Sequence, residues 1–304
     1  MKKMILQAAM VVALATPATA QMMSAPAPTP NLPALNDEFN STSLTEGWKN
    51  FHEVEGWPNK LLKQDVSGTS KGHLYFEPGT SGWFSDQQAP FMFKEITGDF
   101  DLRARMKVSG RKGEVPQTQW SLAGLMARAP KQGGKDTWKR GEENWLFMTT
   151  GIAEELGKPV IETKKTIRSN SSLKLRPAKL DWIEMRLVRV GPSFILLYKY
   201  DGDKSWTVQE RFYNVDMPQT LQVGLIGYTN SYAVDNKIKF GDTFTYNNST
   251  FDHLGNPDLA VRVDYIRFQK PKVDFGKSWL ASVAENNLTD YNLTNEKLLS
   301  MLGD

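Results

Sequence analysis

The sequence predicts an all-β domain, an antiparallel sandwich or barrel, and three observations carry that reading. Apolar residues recur with a period of two over long stretches, short strand-like segments are punctuated by Gly, Pro, Asn and Asp, and no amphipathic helical stripe lies between them. In chain order, residues 1–20 read as a secretory signal. Lys2 and Lys3 give the positive start, Ile5 to Leu14 the apolar stretch, and Ala18-Thr19-Ala20 the small-residue cleavage site. That stretch is too short to cross a hydrocarbon core of roughly 30 Å as a helix. Residues 21–34, with Pro26, Pro28, Pro30 and Pro33, read as an extended linker.

The folded domain is expected over residues 35–270. Phe100, Leu102, Ala104, Met106 and Val108 alternate with Asp101, Arg103, Arg105 and Lys107, which describes a strand with one buried and one wet face. Ile183, Met185 and Leu187 alternate in the same way with Glu184 and Arg186. Phe194 to Tyr200 runs into Asp201-Gly202, a hairpin signal because both residues tolerate positive φ, and a partner strand follows from Trp206 to Phe212. Leu221 to Thr229 and Ala260 to Phe268 complete the series. Residues 271–304 read as a tail packed on the sandwich, with Thr294 capping a short helix over Asn295 to Leu302 and Gly303 ending it.

Composition excludes several function classes. The net charge of +3 does not suggest nucleic acid, and no later apolar run predicts a membrane span. The absence of cysteine excludes disulfides, and with only His52, His73 and His253 a transition-metal hydrolase is disfavoured. No Gly-rich phosphate loop and no Gly-x-Ser-x-Gly elbow is present.

Asn36-Asp37-Glu38-Phe39-Asn40 followed by Trp48 resembles the opening of concanavalin-A-like glucanase domains, family 16 glycoside hydrolases among them, and Val263-Asp264-Tyr265-Ile266-Arg267 resembles their closing strand. Gly98-Asp99-Phe100, Ala123 to Arg128, Tyr200-Asp201-Gly202 with Trp206, and Val223-Gly224-Leu225 resemble the concanavalin-A-like modules at the C-termini of β-xylosidases and in secreted proteins. The resemblance spans Leu35 to Lys270 and implies a two-sheet jelly-roll sandwich. It also implies a structural calcium held by Glu38, the carbonyl of Gly72 and Asp264. The Glu-x-Asp-x-x-Glu strand of the family 16 enzymes is absent, since no Glu-x-Asp triplet occurs anywhere in the chain. The twin carboxylates that such a strand aims at one sugar are therefore not available in that form.

Three further candidate sites come from the residues. Trp57, Trp83, Trp120, Trp138 and Trp145 lie at expected loops or strand ends, several beside amides or carboxylates, a mixture that suits stacking on sugar rings; the same indoles equally suit the core. Glu53 and Glu55, beside His52, would share a strand face, Glu142-Glu143 precede Trp145, and Glu184 would face either a concave cleft or water. Lys164, Lys165, Arg168, Lys174, Arg176 and Lys179 form a run free of acids around an expected hairpin tip at Ser169 to Ser172, suited to an anionic polysaccharide or to plain solvation. The expected function is carbohydrate binding by an exported protein, periplasmic or extracellular, through Trp83, Trp120, Trp138, Glu184, Lys164, Arg168 and Arg176. A glycoside hydrolase or polysaccharide lyase, and a protein-binding scaffold or adhesion module, remain the alternatives.

Overall fold

The computed structural model describes residues 27–234, 237–239, 241–251, 253–273 and 288–303. The signal segment and the start of the linker lie outside the described residues. Fourteen strands form the body: β1 (Lys49–Asn50), β2 (Leu61–Val66), β3 (Leu74–Pro78), β4 (Phe91–Thr97), β5 (Phe100–Ser109), β6 (Ser121–Arg128) and β7 (Trp145–Ile152), then β8 (Pro159–Ile167), β9 (Asn170–Pro177), β10 (Ile183–Val190), β11 (Ser193–Tyr200), β12 (Thr207–Tyr213), β13 (Thr220–Tyr228) and β14 (Ala260–Gln269). They build two antiparallel seven-stranded sheets. The first has the order β1-β4-β13-β6-β7-β8-β9 and the second β12-β11-β10-β5-β14-β3-β2. The helices among the described residues are short: α1 (Phe51–Glu55), α2 (Thr243–Asn247) and α3 (Asn295–Leu302). Among the described residues no helix is long and apolar enough to cross a membrane.

Alternation places the main core between the sheets. Leu102, Ala104 and Met106 of β5, Met185 and Leu187 of β10, and Val261 and Val263 of β14 face Leu125 and Ala127 of β6, Met148 of β7 and Val223 of β13. The two ends of the domain meet as the motifs imply, because Asp37 exchanges main-chain hydrogen bonds with Ile266 of β14 at 2.9 Å. Residues before Leu35 also contact the sandwich. Thr29 N donates to Thr97 O, and Leu32, in a 3₁₀ turn over Leu32–Leu35, is buried in the core.

Each sheet also buries much of its outer face, which alternation alone does not foretell. On the second sheet, Val188, Ile195 and Leu197 point outward and are covered by Leu288, Leu298, Met301 and Leu302 of the tail. Thr294 Oγ1 accepts from Lys297 N and caps α3 as expected. At the other end Arg186 supplies the missing partners: its guanidinium clasps Asp101 at 2.8 and 2.9 Å and donates to the carbonyls of Leu302 and Gly303 at 3.0 and 2.7 Å. On the first sheet the outward residues carry the chemistry.

Candidate functional site

Phe91 and Phe93 of β4, Met126 of β6, Trp145 and Phe147 of β7, and Ile226 and Tyr228 of β13 share the outer face of the first sheet. Phe51 of α1 and the loop residues Trp57, Trp83 and Trp120 cover them. Trp83 is 1% exposed and packs edge-on against Phe51, Phe91 and Trp145 at 5.6–6.4 Å. Among the described residues the face is filled by buried side chains.

Two polar clusters are sealed into this face. Arg128, the last residue of β6, is fully buried and donates to Glu143 at 2.9 and 3.0 Å, to Glu55 at 2.5 and 3.3 Å, and to Gln222 at 2.8 Å. Lys131 adds a contact to Glu143 at 3.0 Å, and Gln88 donates to the same carboxylate at 2.8 Å. Burial alone would raise the Glu143 pKa, but Arg128 and Lys131 outweigh it and hold the group at about 2. The two expected carboxylate pairs thus contribute one member each to a single ion cluster. They do so because residues 51–55 form helix α1 and not a strand. One turn of helix puts Phe51 and Glu55 on the buried side and leaves Glu53 in water. Gly134 permits the contact, since a Cβ there would stand 2.5 Å from the Glu55 carbonyl.

The second cluster centres on Glu162 of β8, which accepts from the Tyr228 hydroxyl and pairs with Lys164 at 2.8 Å. Lys164 is 3% exposed, donates to Trp83 O at 2.9 Å, and lies within 5.2–5.9 Å of the rings of Phe84, Trp120, Phe147 and Tyr228. Burial, then the Glu162 charge, push the Tyr228 pKa well up. Trp120, 8% exposed, is held over Lys164 with φ +54°, a strained conformation for a bulky residue, and packs edge-on against the exposed Tyr232 at 5.8 Å.

The residues expected to bind carbohydrate are not all brought together. Trp83, Trp120 and Lys164 belong to the outer face of the first sheet as described. Glu184 lies on the opposite side of the molecule, on the outer face of the second sheet, paired with Lys199 at 3.1 Å. The basic run is divided by the pleat. Lys164 points outward, while Lys165 lies over Phe212 and Lys174 and Arg176 reach Glu210 of β12 at 2.6 and 3.7 Å, closing the sandwich edge. Arg168 stands in the β8–β9 turn 3.5 Å from Asp216; that turn is made by Arg168 and Ser169, both at positive φ, and not by Ser169 to Ser172.

Both side chains implied for calcium are engaged by arginines in this arrangement. Both oxygens of Glu38 accept from Arg267 at 2.8 and 2.7 Å, and Asp264, at a bulge in β14, accepts from Arg105 at 2.8 Å. Among the described residues no group of three acidic or histidine side chains gathers to ligate a metal. Melting is expected to be the same in calcium and in chelator. A native-state ligand at a hundredfold excess over its Kd would add about 2.7 kcal/mol. A calcium-dependent rise lost in Glu38→Ala, Asp264→Ala would restore these residues to the site.

Trp138 stands apart, on a loop between β6 and β7 that rims the filled face. It packs against Trp57 at 6.3 Å and Phe244 of α2 at 5.8 Å, and its indole N–H is buried with no partner among the described residues. Phe244 is 42% exposed. The same loop borders a cleft of about 550 Å3 lined by Pro130, Lys131, Gln132, Thr137, Lys139 and Glu142. Its mix of amide, hydroxyl and charges of both signs suits a polyhydroxyl ligand, and Trp138 lies on the same loop between the lining residues Thr137 and Lys139. Phe244 and Arg128 escape sequence inspection: Arg128 merely ends an apolar strand, which is the one local sign that a buried charge is to be neutralised there.

No protein-family model matches the chain, and no curated protein matches it. Among solved structures it is similar to the GH43 protein BlXynB from Bacillus licheniformis, at 13% identity and a TM-score of 0.51 over 77% of this chain and 39% of that one. A xylan β-1,4-xylosidase from Bacillus halodurans matches with the same identity and score over 81% of this chain and 40% of its own. The chain has the concanavalin-A-like sandwich fold. A β-1,3-glucanase from Mycobacterium marinum lies further off, at 10% identity and a TM-score of 0.43 over 77% of this chain and 97% of that one. The sandwich spans about two fifths of the two Bacillus chains it matches.

Proposed function

We propose that the chain is an exported, lectin-like carbohydrate-binding sandwich that takes a neutral oligosaccharide or polysaccharide in the cleft beside Trp138. The observation that carries this reading is the juxtaposition of the Pro130–Glu142 cleft with the Trp57–Trp138–Phe244 aromatic group. Its fold likeness to part of a xylan β-1,4-xylosidase supports a saccharide over other polyhydroxyl ligands. Binding is favoured over cleavage because Glu55, Glu143 and Glu162 are spent in buried ion clusters, so none is free to act as acid beside an ionised partner. A neutral ligand is favoured because Lys164, Arg168, Lys174 and Arg176 of the basic run already pair with acids, and in the cleft Lys131 answers Glu143 while the lining carries both Lys139 and Glu142.

Retention on insoluble xylan and other neutral polysaccharides, followed by sizing of the soluble products, tests this. Retention without shortening is expected, and nearly the same at low and high ionic strength. Trp138→Ala should weaken it by about 1–3 kcal/mol, the effect of truncating an interface anchor, with melting little changed. Shortened product moves the protein to the hydrolases or lyases, and no retention on any glycan moves it to the protein-binding scaffolds.

A further inference from the structure

Lys60 lies in the turn that enters β2 and is 7% exposed. Its Nζ donates to two main-chain carbonyls, Gln88 O and Tyr246 O, both at 3.1 Å. The Tyr246 and Phe251 rings stand 4.6 and 5.9 Å from it. Beside it a void of about 10 Å3, lined also by His52, Trp57, Ala89 and Asn247, has room for about one water. An ammonium has three N–H donors to satisfy and a neutral amine two. The two carbonyls satisfy a neutral amine in full, whereas an ammonium would need the one water the void can hold as its third acceptor and would carry its charge in a buried site.

The surroundings supply no countercharge. His52 of α1 lines the same void; burial lowers its pKa, and Glu53 at 3.8 Å is its partner. The Asp86 carboxylate accepts from Gly141 N and Ser169 Oγ, and Asp242 caps α2 through Thr245 N. Among the described residues no carboxylate pairs with Lys60, and burial lowers its pKa from 10.5 to about 7.

One of the two carbonyls belongs to α2 and the other to the loop before β4. Asn247 fastens the same two segments, accepting from Gln88 N at 2.9 Å and donating to Asp86 O at 2.8 Å. Phe244, on α2, forms the aromatic group with Trp57 and Trp138. We propose that the opening of α2 from the sandwich is linked to the uptake of one proton by Lys60, which makes α2 a pH-graded cover over that aromatic group. The linkage stands whether or not the neighbouring cleft binds saccharide. Closed, the shell favours the neutral amine; open and hydrated, Lys60 keeps its proton up to the usual 10.5. Opening therefore becomes easier as pH falls from 10.5 towards 7 and levels off below it.

The chain has no cysteine, so Ala89→Cys places a single thiol at the wall of the void, where Ala89 is buried. Its labelling rate, corrected for thiolate fraction, is expected to report an opening equilibrium that rises about tenfold per pH unit as pH is lowered from 10 towards 7. Lys60→Met in the same background is expected to remove the slope. A flat profile, or a slope that survives Lys60→Met, overturns the proposal. Should that variant fail to fold, carbon-13 lysine NMR of the wild-type chain decides. One lysine titrating near 7 supports the linkage, and every lysine titrating above 9 overturns it.

Discussion

Arg128→Met is expected to lower stability by about 3–5 kcal/mol, the cost of leaving buried charge without its partner. Glu143 and Glu55 would keep only Lys131, Gln88 and the Trp57 indole, in a region from which water is excluded. At roughly 2–4 °C per kcal/mol for a chain of this size, melting should fall by about 10 °C. The pH dependence gives a sharper test. In the wild type the Glu143 pKa is held at about 2, below its ordinary 4.5, so its contribution is complete above pH 4.5 and is lost as pH falls through 2. In Arg128→Met the slope should reverse, stability rising with acid as the stranded carboxylates take up protons. Adding Glu55→Gln and Glu143→Gln should recover much of the loss at neutral pH. A single variant that melts like the wild type would show that the cluster is hydrated and weak.

Leu298→Ala is expected to cost about 2–5 kcal/mol, as large as a change in the central core, although Leu298 lies in the tail. Leu298 is fully buried against the outer face of the second sheet with Val188, Ile195, Leu197 and Trp206. Its loss should expose that face to a hydrophobic dye before the sandwich itself melts, since it leaves the Arg186 hydrogen bonds as the main hold on the end of α3. Denaturant unfolding followed by tryptophan fluorescence measures the cost. A change below about 0.5 kcal/mol, the size of a surface substitution, would mean the tail is not docked in solution.

The sandwich was legible because its signals are local. Alternation at Phe100–Val108 and Ile183–Leu187 follows from the two-residue period of the strand, the Asp201-Gly202 turn from the left-handed φ of 89° at Gly202, and the α3 cap from a hydroxyl three residues before an amide. Residues 51–55 were misread because Glu-Val-Glu alternates as a strand does, and only burial of Phe51 and Glu55 one helical turn apart distinguishes the helix.

The candidate sites were less legible, since alternation names a face without naming what covers it. Trp83 lies under Phe51 and Trp145, and Trp138 under Trp57 and Phe244 at the rim, because segments distant in sequence fold over them to different extents. Lys164 and Arg176 read as one basic patch until the pleat sends them to opposite faces. Glu38 and Asp264, donors by position, are claimed by Arg267 and Arg105 from neighbouring strands. Chain-local geometry thus decides strands, turns and caps, where each signal spans a few residues. Burial, pairing of charge and access to a ligand depend on which residues, 229 positions apart in the Arg267–Glu38 pair, arrive at the same few ångströms of space.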